Sequence, residues 1–307
     1  MTTLAYFEGE IVPIAQANVS ITCHTLHYGT GCFGGLRGYW NEARQQLYLF
    51  RPLDHYRRFL DSAKLLFCRL DDYTPEKLTA ITLDLLRQEG WQQNCYIRPI
   101  AYKDDGIFRV WLHDATDKVA IFSQSVGKYL EADKGAKVCV SSWRRVDDAA
   151  MPARGKVNGT YVNSALAKSD AMLSGFDEAI VLNQDGHVSE ASAANFMMLR
   201  HGQLITPPVT SNLLEGITRR TVLHLAAEEL GLEVVERDID RSELYIADEA
   251  FFCGTGVQIA AIGSIDHRQI GSGSTGPVTA QLSDLYFGVV TGKNEKYNRW
   301  LVPVFEK

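Results

Sequence analysis

The sequence predicts a mixed fold of helices and sheets, of the α/β (α+β) class, in two domains. The chain has 307 residues, and about 100–200 residues per domain are usual, so the length suits two domains or one large one. Helical and strand-like patterns alternate on both sides of a polar stretch that begins at Ser123. We therefore expect a small N-terminal domain over residues 1–124, an interdomain loop over 125–137 and a larger C-terminal domain over 138–307.

The N-terminal domain contains both strand and helix signals. The patterns predict, in order, a hairpin over residues 4–11, a strand over 19–23, helices over 52–67 and 74–90, and a strand over 95–102. Apolar side chains recur at three- and four-residue steps in the first of these helices. The second helix has Thr74 as its N-cap, Pro75 in its first turn and Gly90 at its end.

The C-terminal domain repeats this alternation. The patterns predict strands over residues 138–143, 178–183, 195–199, 232–238 and 250–253, and helices over 161–173, 217–230 and 277–289. Residues 179–188 are typical of a hairpin. Gly231 stands where a helix C-terminus favours glycine, and a strand follows it directly.

The composition excludes several classes of function. Thirty-seven acidic against 31 basic residues give a net charge of −6, which disfavours nucleic-acid and anionic-membrane partners. No apolar run approaches the roughly 18 residues of a membrane helix. The first ten residues contain no base, so we expect no signal peptide and a cytoplasmic location. The six cysteines are scattered without a C-x-x-C pair, so we expect neither a metal site nor a disulfide scaffold.

Two charged residues stand out as candidates for chemistry. Lys156 lies between glycines just before an apolar helix, with Tyr161 five residues further on. A lysine in an enclosed site can be partly neutral and nucleophilic, as a Schiff base requires. Glu190 lies among small residues between a strand and an apolar run. A carboxylate there needs a partner, which is either the cation of a structural salt bridge or a protonated ring nitrogen.

Three further features suit an anion. A helix begins after Gly216, where free backbone N–H groups and the helix dipole favour a phosphate. Arg58 lies in a helix, from which it could clamp a phosphate. The turn Gly254–Gly256 could present N–H groups to an anion, but Ile259 stands where a dinucleotide fingerprint needs its third glycine. On spacing alone, a plain helix start and solvated arginines are favoured.

Several of these features fall within short motifs that are spread along nearly the whole chain. The motifs are His27–Thr30, Phe33–Gly38, Tyr96–Pro99, Ser141–Trp143, Arg154–Lys156, Ser189–Glu190, Leu214–Arg219, Ala247–Glu249 and Gly254–Thr255. In these motifs and in their order, the chain resembles the branched-chain amino-acid aminotransferases, which are class IV enzymes dependent on pyridoxal phosphate. Their fold is called fold type IV.

The resemblance implies two α/β domains with pyridoxal 5′-phosphate in the cleft between them, and a homodimer or larger assembly. Lys156 would join the cofactor through a Schiff base, and Glu190 would keep its ring nitrogen protonated. Tyr161 would bind the phenolic oxygen of the ring. The residues implied to hold the phosphate are Arg58, Gly216, Ile217, Thr218 and Thr255.

The resemblance also implies the reaction. It is reversible transamination between L-leucine, L-isoleucine or L-valine and 2-oxoglutarate, with pyridoxamine phosphate between two ping-pong steps. The partners would therefore be amino acids and 2-oxo acids. Tyr96, Arg98 and Gly256 would orient the substrate carboxylate. Arg109 falls where related chains often carry a small residue, and we predict that it helps to bind the second carboxylate of 2-oxoglutarate or glutamate. The residues implied to form the side-chain pocket are Phe33, Gly35, Tyr129 and, from the neighbouring subunit, Tyr28.

Departures from the family pattern leave alternatives open. Many members carry glutamate where this chain has Gly34, and alanine where it has Gly256. An aminotransferase for D-amino acids or (R)-amines shares Lys156 and Glu190 and is the main alternative. A lyase acting on aminodeoxychorismate is a further relative. A non-catalytic cofactor-binding protein is disfavoured, because it would not need the lysine, the glutamate, Tyr161 and Arg58 together.

Overall fold

The computed structural model describes residues 3–104, 106, 108–127 and 135–306. The strands are β1 (Leu4–Phe7), β2 (Glu10–Pro13), β3 (Cys32–Phe33), β4 (Leu36–Asn41), β5 (Gln46–Phe50), β6 (Cys95–Lys103), β7 (Asp117–Ser125), β8 (Ala136–Arg144), β9 (Glu178–Leu182), β10 (Val188–Ala191), β11 (Asn195–Arg200), β12 (Gln203–Thr206), β13 (Glu233–Glu236), β14 (Glu249–Gly254), β15 (Gln258–Ile265), β16 (Arg268–Gln269) and β17 (Leu301–Pro303). The helices are α1 (His24–Tyr28), α2 (Pro52–Leu65), α3 (Pro75–Glu89), α4 (Tyr161–Leu173), α5 (Ile217–Leu230) and α6 (Pro277–Val290).

One compact unit comprises Met1–Gly127, Gly155–Gly159 and Gly288–Lys307. Its eight-stranded sheet has the order β17-β5-β4-β6-β7-β1-β2, with β3 also paired to β6. Helices α2 and α3 pack against each other, and they contact β3 and β1 respectively. The fully buried side chains of Tyr56 and Phe59 on α2 form part of this core. The sheet and α2 together position the segment that carries Lys156.

The second compact unit comprises Lys128–Arg154 and Thr160–Phe287. Its nine-stranded sheet has the order β10-β9-β8-β15-β14-β11-β12-β13, with β16 also paired to β15. The sheet is mixed, because β8 runs parallel to β9 and β15, and β12 runs parallel to β13. All five residues of β9 are buried, as expected for a strand covered on both faces. The domain boundaries at 124 and 138 remain a prediction, and residues 128–134 of the predicted loop lie outside the described residues.

Most predicted elements are confirmed. The hairpin is β1–β2, with Ala5 opposite Val12, and the five strands and three helices predicted beyond residue 138 are present within a few residues. Helix α3 begins after Thr74, whose hydroxyl accepts a hydrogen bond from the Lys77 N–H at 3.2 Å. Helix α2 ends at Leu65, two residues earlier than predicted, because Phe67 has a left-handed φ of 53°.

One prediction about the N-terminal unit is wrong. Residues 19–23 form no strand but lead through a turn into α1. Val19 and Ile21 are 49% and 81% exposed, so their β-branched side chains lack the packed face that a strand needs. The polar stretch that begins at Ser123 starts within β7, which runs to Ser125 and pairs with β6. The buried Ser123 hydroxyl donates a hydrogen bond to Glu89, which satisfies a polar side chain inside the sheet.

Among the residues that the structure describes, no helix has both the length and the apolar character needed to cross a membrane.

Candidate active site

The backbone of Lys156 is fixed to β3 and α2. Its carbonyl accepts a hydrogen bond from the Phe33 N–H at 3.0 Å, and its own N–H donates to Ser62 Oγ at 3.1 Å. Ser62 is fully buried and its hydroxyl donates to the Arg58 carbonyl at 2.8 Å. One buried hydroxyl therefore joins the Lys156 segment to the helix turn that carries Arg58. Sequence reasoning found Lys156 and Arg58 but missed Ser62.

The Lys156 side chain lies beside Phe33, one of three predicted substrate residues that contact one another. Its Nζ lies 5.0 Å from the centroid of the Phe33 ring. The Arg98 guanidinium lies 4.4 Å from the same ring centroid and 5.2 Å from that of Tyr96. Cations are attracted to ring faces at such distances. The structure therefore brings an amine, a guanidinium and two aromatic rings together in the first unit.

Glycine is required beside this cluster. A Cβ atom at Gly35 would lie 2.0 Å from Tyr96 Oη, so any larger residue would displace the Tyr96 hydroxyl. A Cβ atom at Gly34 would lie 2.6 Å from Cγ of Pro99. The two glycines thus allow Tyr96 and Pro99 to pack directly against the chain that follows Phe33. At Gly34, where the sequence departs from the commoner glutamate, a larger residue could not pack this closely against Pro99.

Arg109 and Tyr28 lie in a more exposed part of the first unit. The Arg109 side chain is 56% exposed and forms an ion pair with Asp114 at 3.2 Å. The Tyr28 ring packs 4.6 Å from the ring of His24. His24 is buried and contacts Thr30 Oγ1 at 2.8 Å and the Arg109 carbonyl at 3.0 Å. It thereby ties the Arg109 loop to the end of α1.

A pocket of about 300 Å³ lies beside this loop, lined by His24, Thr30 and residues 110–113. Tyr129, the remaining predicted pocket residue, lies outside the described residues.

In the second unit, Glu190 on β10 is held from several sides. Arg145 Nη2 lies 2.7 Å from Oε1, and both side chains are almost fully buried. Asn195 Nδ2 donates to Oε2 at 2.9 Å. The Leu214 N–H lies 3.4 Å from each oxygen. The carboxylate therefore has a cation and neutral donors around it, which is what a buried charge needs.

Sequence reasoning missed Arg145 and Asn195. Arg145 follows a predicted strand and Asn195 begins another. A polar residue at the end or the start of a strand can bond to a buried charge, but the sequence does not identify which charge. Only the pairing of the strands shows which side chains face Glu190.

The N-terminus of α5 fits a phosphate. Its N-cap, Gly216, makes no side-chain capping bond, and the first turn contains no acidic residue. Ile217 and Thr218 are buried. A Cβ atom at Gly216 would lie 2.1 Å from Asn195 Oδ1, so glycine is required there. Backbone N–H groups at such a helix start favour an anion.

The remaining predicted cofactor residues, Thr255 and Tyr161, and the predicted substrate residue Gly256 lie in the same unit. Thr255 and Gly256 form the turn between β14 and β15, which pair antiparallel. This is a hairpin and not the strand-to-helix turn of a dinucleotide site. A Cβ atom at Gly256 would meet no atom within 4 Å, so the turn borders open space. Tyr161 is the first residue of α4 and is half-buried.

The cysteines contribute no reactive thiol here. All six are free. Burial raises the pKa of Cys253 to about 12, with Arg219 lowering it and the Glu190 charge raising it further. Within residues 3–104, 106, 108–127 and 135–306, no group of three or more His, Cys, Asp or Glu side chains is placed to hold a metal ion.

The residues present fit pyridoxal phosphate, the expected cofactor. The helix start with Gly216 suits its phosphate, the buried Glu190 carboxylate suits a protonated ring nitrogen, and Lys156 supplies an amine. Each of these fits rests on contacts inside one compact unit.

Comparisons with known proteins agree with this fit. The model of the family described as amino-transferase class IV matches residues 31–265. A protein of Aquifex aeolicus (strain VF5), named a probable branched-chain-amino-acid aminotransferase, is 48% identical over 303 residues, 99% of this chain and 97% of that protein.

Solved structures are similar over the full length. The structure of a branched-chain aminotransferase from Thermoproteus uzoniensis with norvaline has a TM-score of 0.95 and 40% identity, covering 99% of this chain and 100% of that one. A branched-chain amino acid aminotransferase from Thermobaculum terrenum, in its PLP form, has a TM-score of 0.95 and 40% identity and covers 100% of both chains.

Proposed function

The chain belongs to the class IV aminotransferase family, and on this basis we propose how its residues carry out transamination. The enzyme uses pyridoxal phosphate and transfers an amino group reversibly between L-leucine, L-isoleucine or L-valine and 2-oxoglutarate. Its substrates are therefore small amino acids and 2-oxo acids. The roles of individual residues are our assignments and follow from their contacts.

Lys156 is the catalytic base and acid of this proposal. When bound, pyridoxal phosphate supplies an electron-withdrawing ring that stabilises negative charge at the substrate Cα. Lys156 Nζ removes the proton from that Cα, a kind of step worth about 10²–10⁴-fold in rate. The bonds to Phe33 and Ser62 fix the Lys156 backbone, so that only the side chain moves during proton transfer.

Glu190 and the start of α5 hold the cofactor. The Glu190 carboxylate keeps a proton on the ring nitrogen. The N–H groups of Ile217 and Thr218, with Gly216 allowing close approach, bind the phosphate. Arg58, Thr255 and Tyr161 complete this set: the arginine and the threonine act on the phosphate, and the tyrosine acts on the phenolic oxygen.

The substrate is oriented by its carboxylate and its side chain. Arg98 supplies the cation for a carboxylate, with Tyr96 beside it, and the turn at Gly256 provides backbone N–H groups on the other unit. Phe33 presents an apolar ring to the substrate side chain, together with Tyr28 and Tyr129. Arg109 takes the second carboxylate of 2-oxoglutarate or glutamate.

One observation carries the proposal for this reaction. Lys156 Nζ and the Arg98 guanidinium contact the same Phe33 ring. A base, a carboxylate-binding cation and an apolar surface are therefore adjacent, which suits an amino acid with an apolar side chain.

A panel of amino donors tests this function. L-leucine, D-alanine and a chiral aryl amine are each offered with 2-oxoglutarate, and glutamate formation is measured. We expect L-leucine to react fastest, and we expect Lys156→Ala to abolish the reaction while the matched Lys168→Ala on α4 retains it. Faster conversion of D-alanine or the amine would replace the branched-chain assignment with an aminotransferase for D-amino acids or (R)-amines. Pyruvate release without an amino acceptor would reveal a lyase.

We further propose a cytoplasmic homodimer or larger homo-oligomer, in which Tyr28 reaches the neighbouring subunit. Tyr28 is 39% exposed in the single chain, which leaves it available for such a contact. We also propose the domain boundaries 1–124, 125–137 and 138–307. Sedimentation of the purified protein tests the assembly, and limited proteolysis within 125–137 tests the boundaries.

A further inference from the structure

Arg145 is the cation on the Glu190 carboxylate. Its Nη2 lies 2.7 Å from Glu190 Oε1, and its Nε donates to the Asn212 carbonyl at 3.1 Å. Its backbone N–H donates to the Leu182 carbonyl on β9 at 2.8 Å. Arg145 is thus held at its guanidinium and at its backbone, and its side chain is only 8% exposed. A group held in this way presents one geometry to the carboxylate.

The carboxylate beside this guanidinium is itself buried. A carboxylate buried without a cation favours its protonated form, because burial penalises the charge. Asn195 and the Leu214 N–H also donate to Glu190, but neither carries a charge. Two further titratable groups lie nearby: Cys253 on β14, which is neutral because its thiol pKa is raised to about 12, and Arg219 on α5. The Arg219 guanidinium is already paired with Glu236 at 2.7 Å.

We propose that Arg145 is a positioning residue for the reaction: it keeps Glu190 ionised and in one orientation, so that Glu190 can hold a proton on the ring nitrogen of pyridoxal phosphate. This inference rests on the proposed function. Arg145 acts only through Glu190 and touches no reacting atom. Without the guanidinium, the carboxyl group keeps the proton itself and the ring nitrogen loses it.

The first test uses a thermodynamic cycle on the cofactor-free, full-length protein. The variants are Arg145→Met, Glu190→Gln and both together, with melting temperatures measured at pH 5 and pH 8. Removing one partner of a buried pair is strongly destabilising, so R145M should melt about 5–10 °C lower at pH 8. Because its Glu190 binds a proton more readily when folded than when unfolded, R145M loses stability as the pH rises from 5 to 8.

The double variant separates a charge effect from simple packing. Since E190Q removes the unpaired charge, R145M/E190Q should recover most of the loss and show no pH dependence beyond that of the wild type. If R145M does not fold, recovery of a folded protein in the double variant supports the proposal, and failure of both overturns it. If the losses of stability in R145M and E190Q simply add at both pH values, Arg145 only binds the chain at Asn212, and the proposal is wrong.

The second test reads the ring nitrogen directly. The protein is reconstituted with ¹⁵N-labelled pyridoxal phosphate, and its ¹⁵N NMR shift reports whether the ring nitrogen carries a proton. At pH 8 we expect a protonated nitrogen in the wild type and in Arg145→Lys, which keeps the charge, and an unprotonated one in R145M. Lys168→Met is the matched control, because it breaks the ion pair of another buried carboxylate, Glu178, in the same unit. It should lower the melting temperature and leave the ring proton in place.

The two tests distinguish failure of this inference from failure of the proposed function. A ring nitrogen equally protonated in R145M and wild type overturns the role of Arg145, even where leucine is transaminated normally. If no donor in the panel is transaminated, the proposed function is wrong. The coupling between Arg145 and Glu190, which is measured in the cofactor-free protein, does not depend on that function.

Discussion

Gly216→Ala is the substitution whose effect can be worked out most fully from the structure. The added Cβ would lie 2.1 Å from Asn195 Oδ1, roughly 1 Å inside any tolerated contact, so the amide must move. That amide donates to Glu190 at 2.9 Å and to the Leu214 carbonyl at 2.9 Å. Losing the bond to the charged group should cost about 1.5–3 kcal/mol, and losing the neutral one about 0.5–1.5 kcal/mol.

One term opposes this loss. Replacing glycine by alanine restricts the unfolded chain and stabilises by about 0.4–1 kcal/mol. We therefore expect G216A to be destabilised by about 1–4 kcal/mol in the cofactor-free protein. We also expect weaker binding of pyridoxal phosphate, because both Glu190 and the α5 N-terminus are disturbed. Thermal unfolding and a cofactor titration followed by absorbance measure the two effects.

The matched control is Gly288→Ala inside α6, where the new Cβ would meet only the Cβ atom of Asn294, at 4.0 Å. This variant should be as stable as the wild type or slightly more stable. In Asn195→Ala the clashing amide is absent, so adding G216A to it should cost much less than G216A alone. A G216A protein as stable as G288A would refute the reasoning, and so would full additivity with N195A.

The other predictions concern a hydroxyl, a surface arginine and the thiols. Ser62→Ala removes the acceptor of the Lys156 N–H, which should lower the stability by about 1–3 kcal/mol and also lower kcat. The control is Ser272→Ala, which removes an exposed hydroxyl bonded to Ser274. It should change neither melting temperature nor kcat. Arg109→Ala should raise KM for 2-oxoglutarate and glutamate and spare leucine; equal effects on both classes would reject its role. Burial raises the thiol pKa of Cys95 and Cys253 to about 12, and since only the thiolate reacts, a disulfide reagent at pH 8 should modify them far more slowly than after unfolding in guanidinium.

Local patterns are sufficient to predict the five longer helices, α2 to α6. The caps of α3, Thr74 and Gly90, and the Gly231 that ends α5 are short-range signals, and each is found in its expected role. The strand predicted over 19–23 is absent because β-branched residues form a strand only where a neighbour covers them. Strands β4 and β5 are missing from the prediction, because their pairing with each other and with β6 and β17 is set by the sheet.

In the candidate site too, local motifs are readable from the sequence and long-range contacts are not. Lys156 and Glu190 stand out in motifs, so the sequence indicates their chemistry. Their supporting contacts are long-range: the Ser62 hydroxyl is 94 positions from the Lys156 N–H whose hydrogen bond it accepts. Such a partner is chosen by tertiary packing, and a serine inside a helix carries no local sign of it. The Asn195 amide is hidden for the same reason.

The central claim is that Lys156 is the residue that bonds covalently to pyridoxal phosphate. The most direct measurement is borohydride reduction of the loaded protein, followed by proteolysis and mass spectrometry of the peptides. We expect the yellow colour to bleach and a single phosphopyridoxyl group to appear on Lys156. A label on another lysine, or no label on a protein that transaminates, would contradict the assignment.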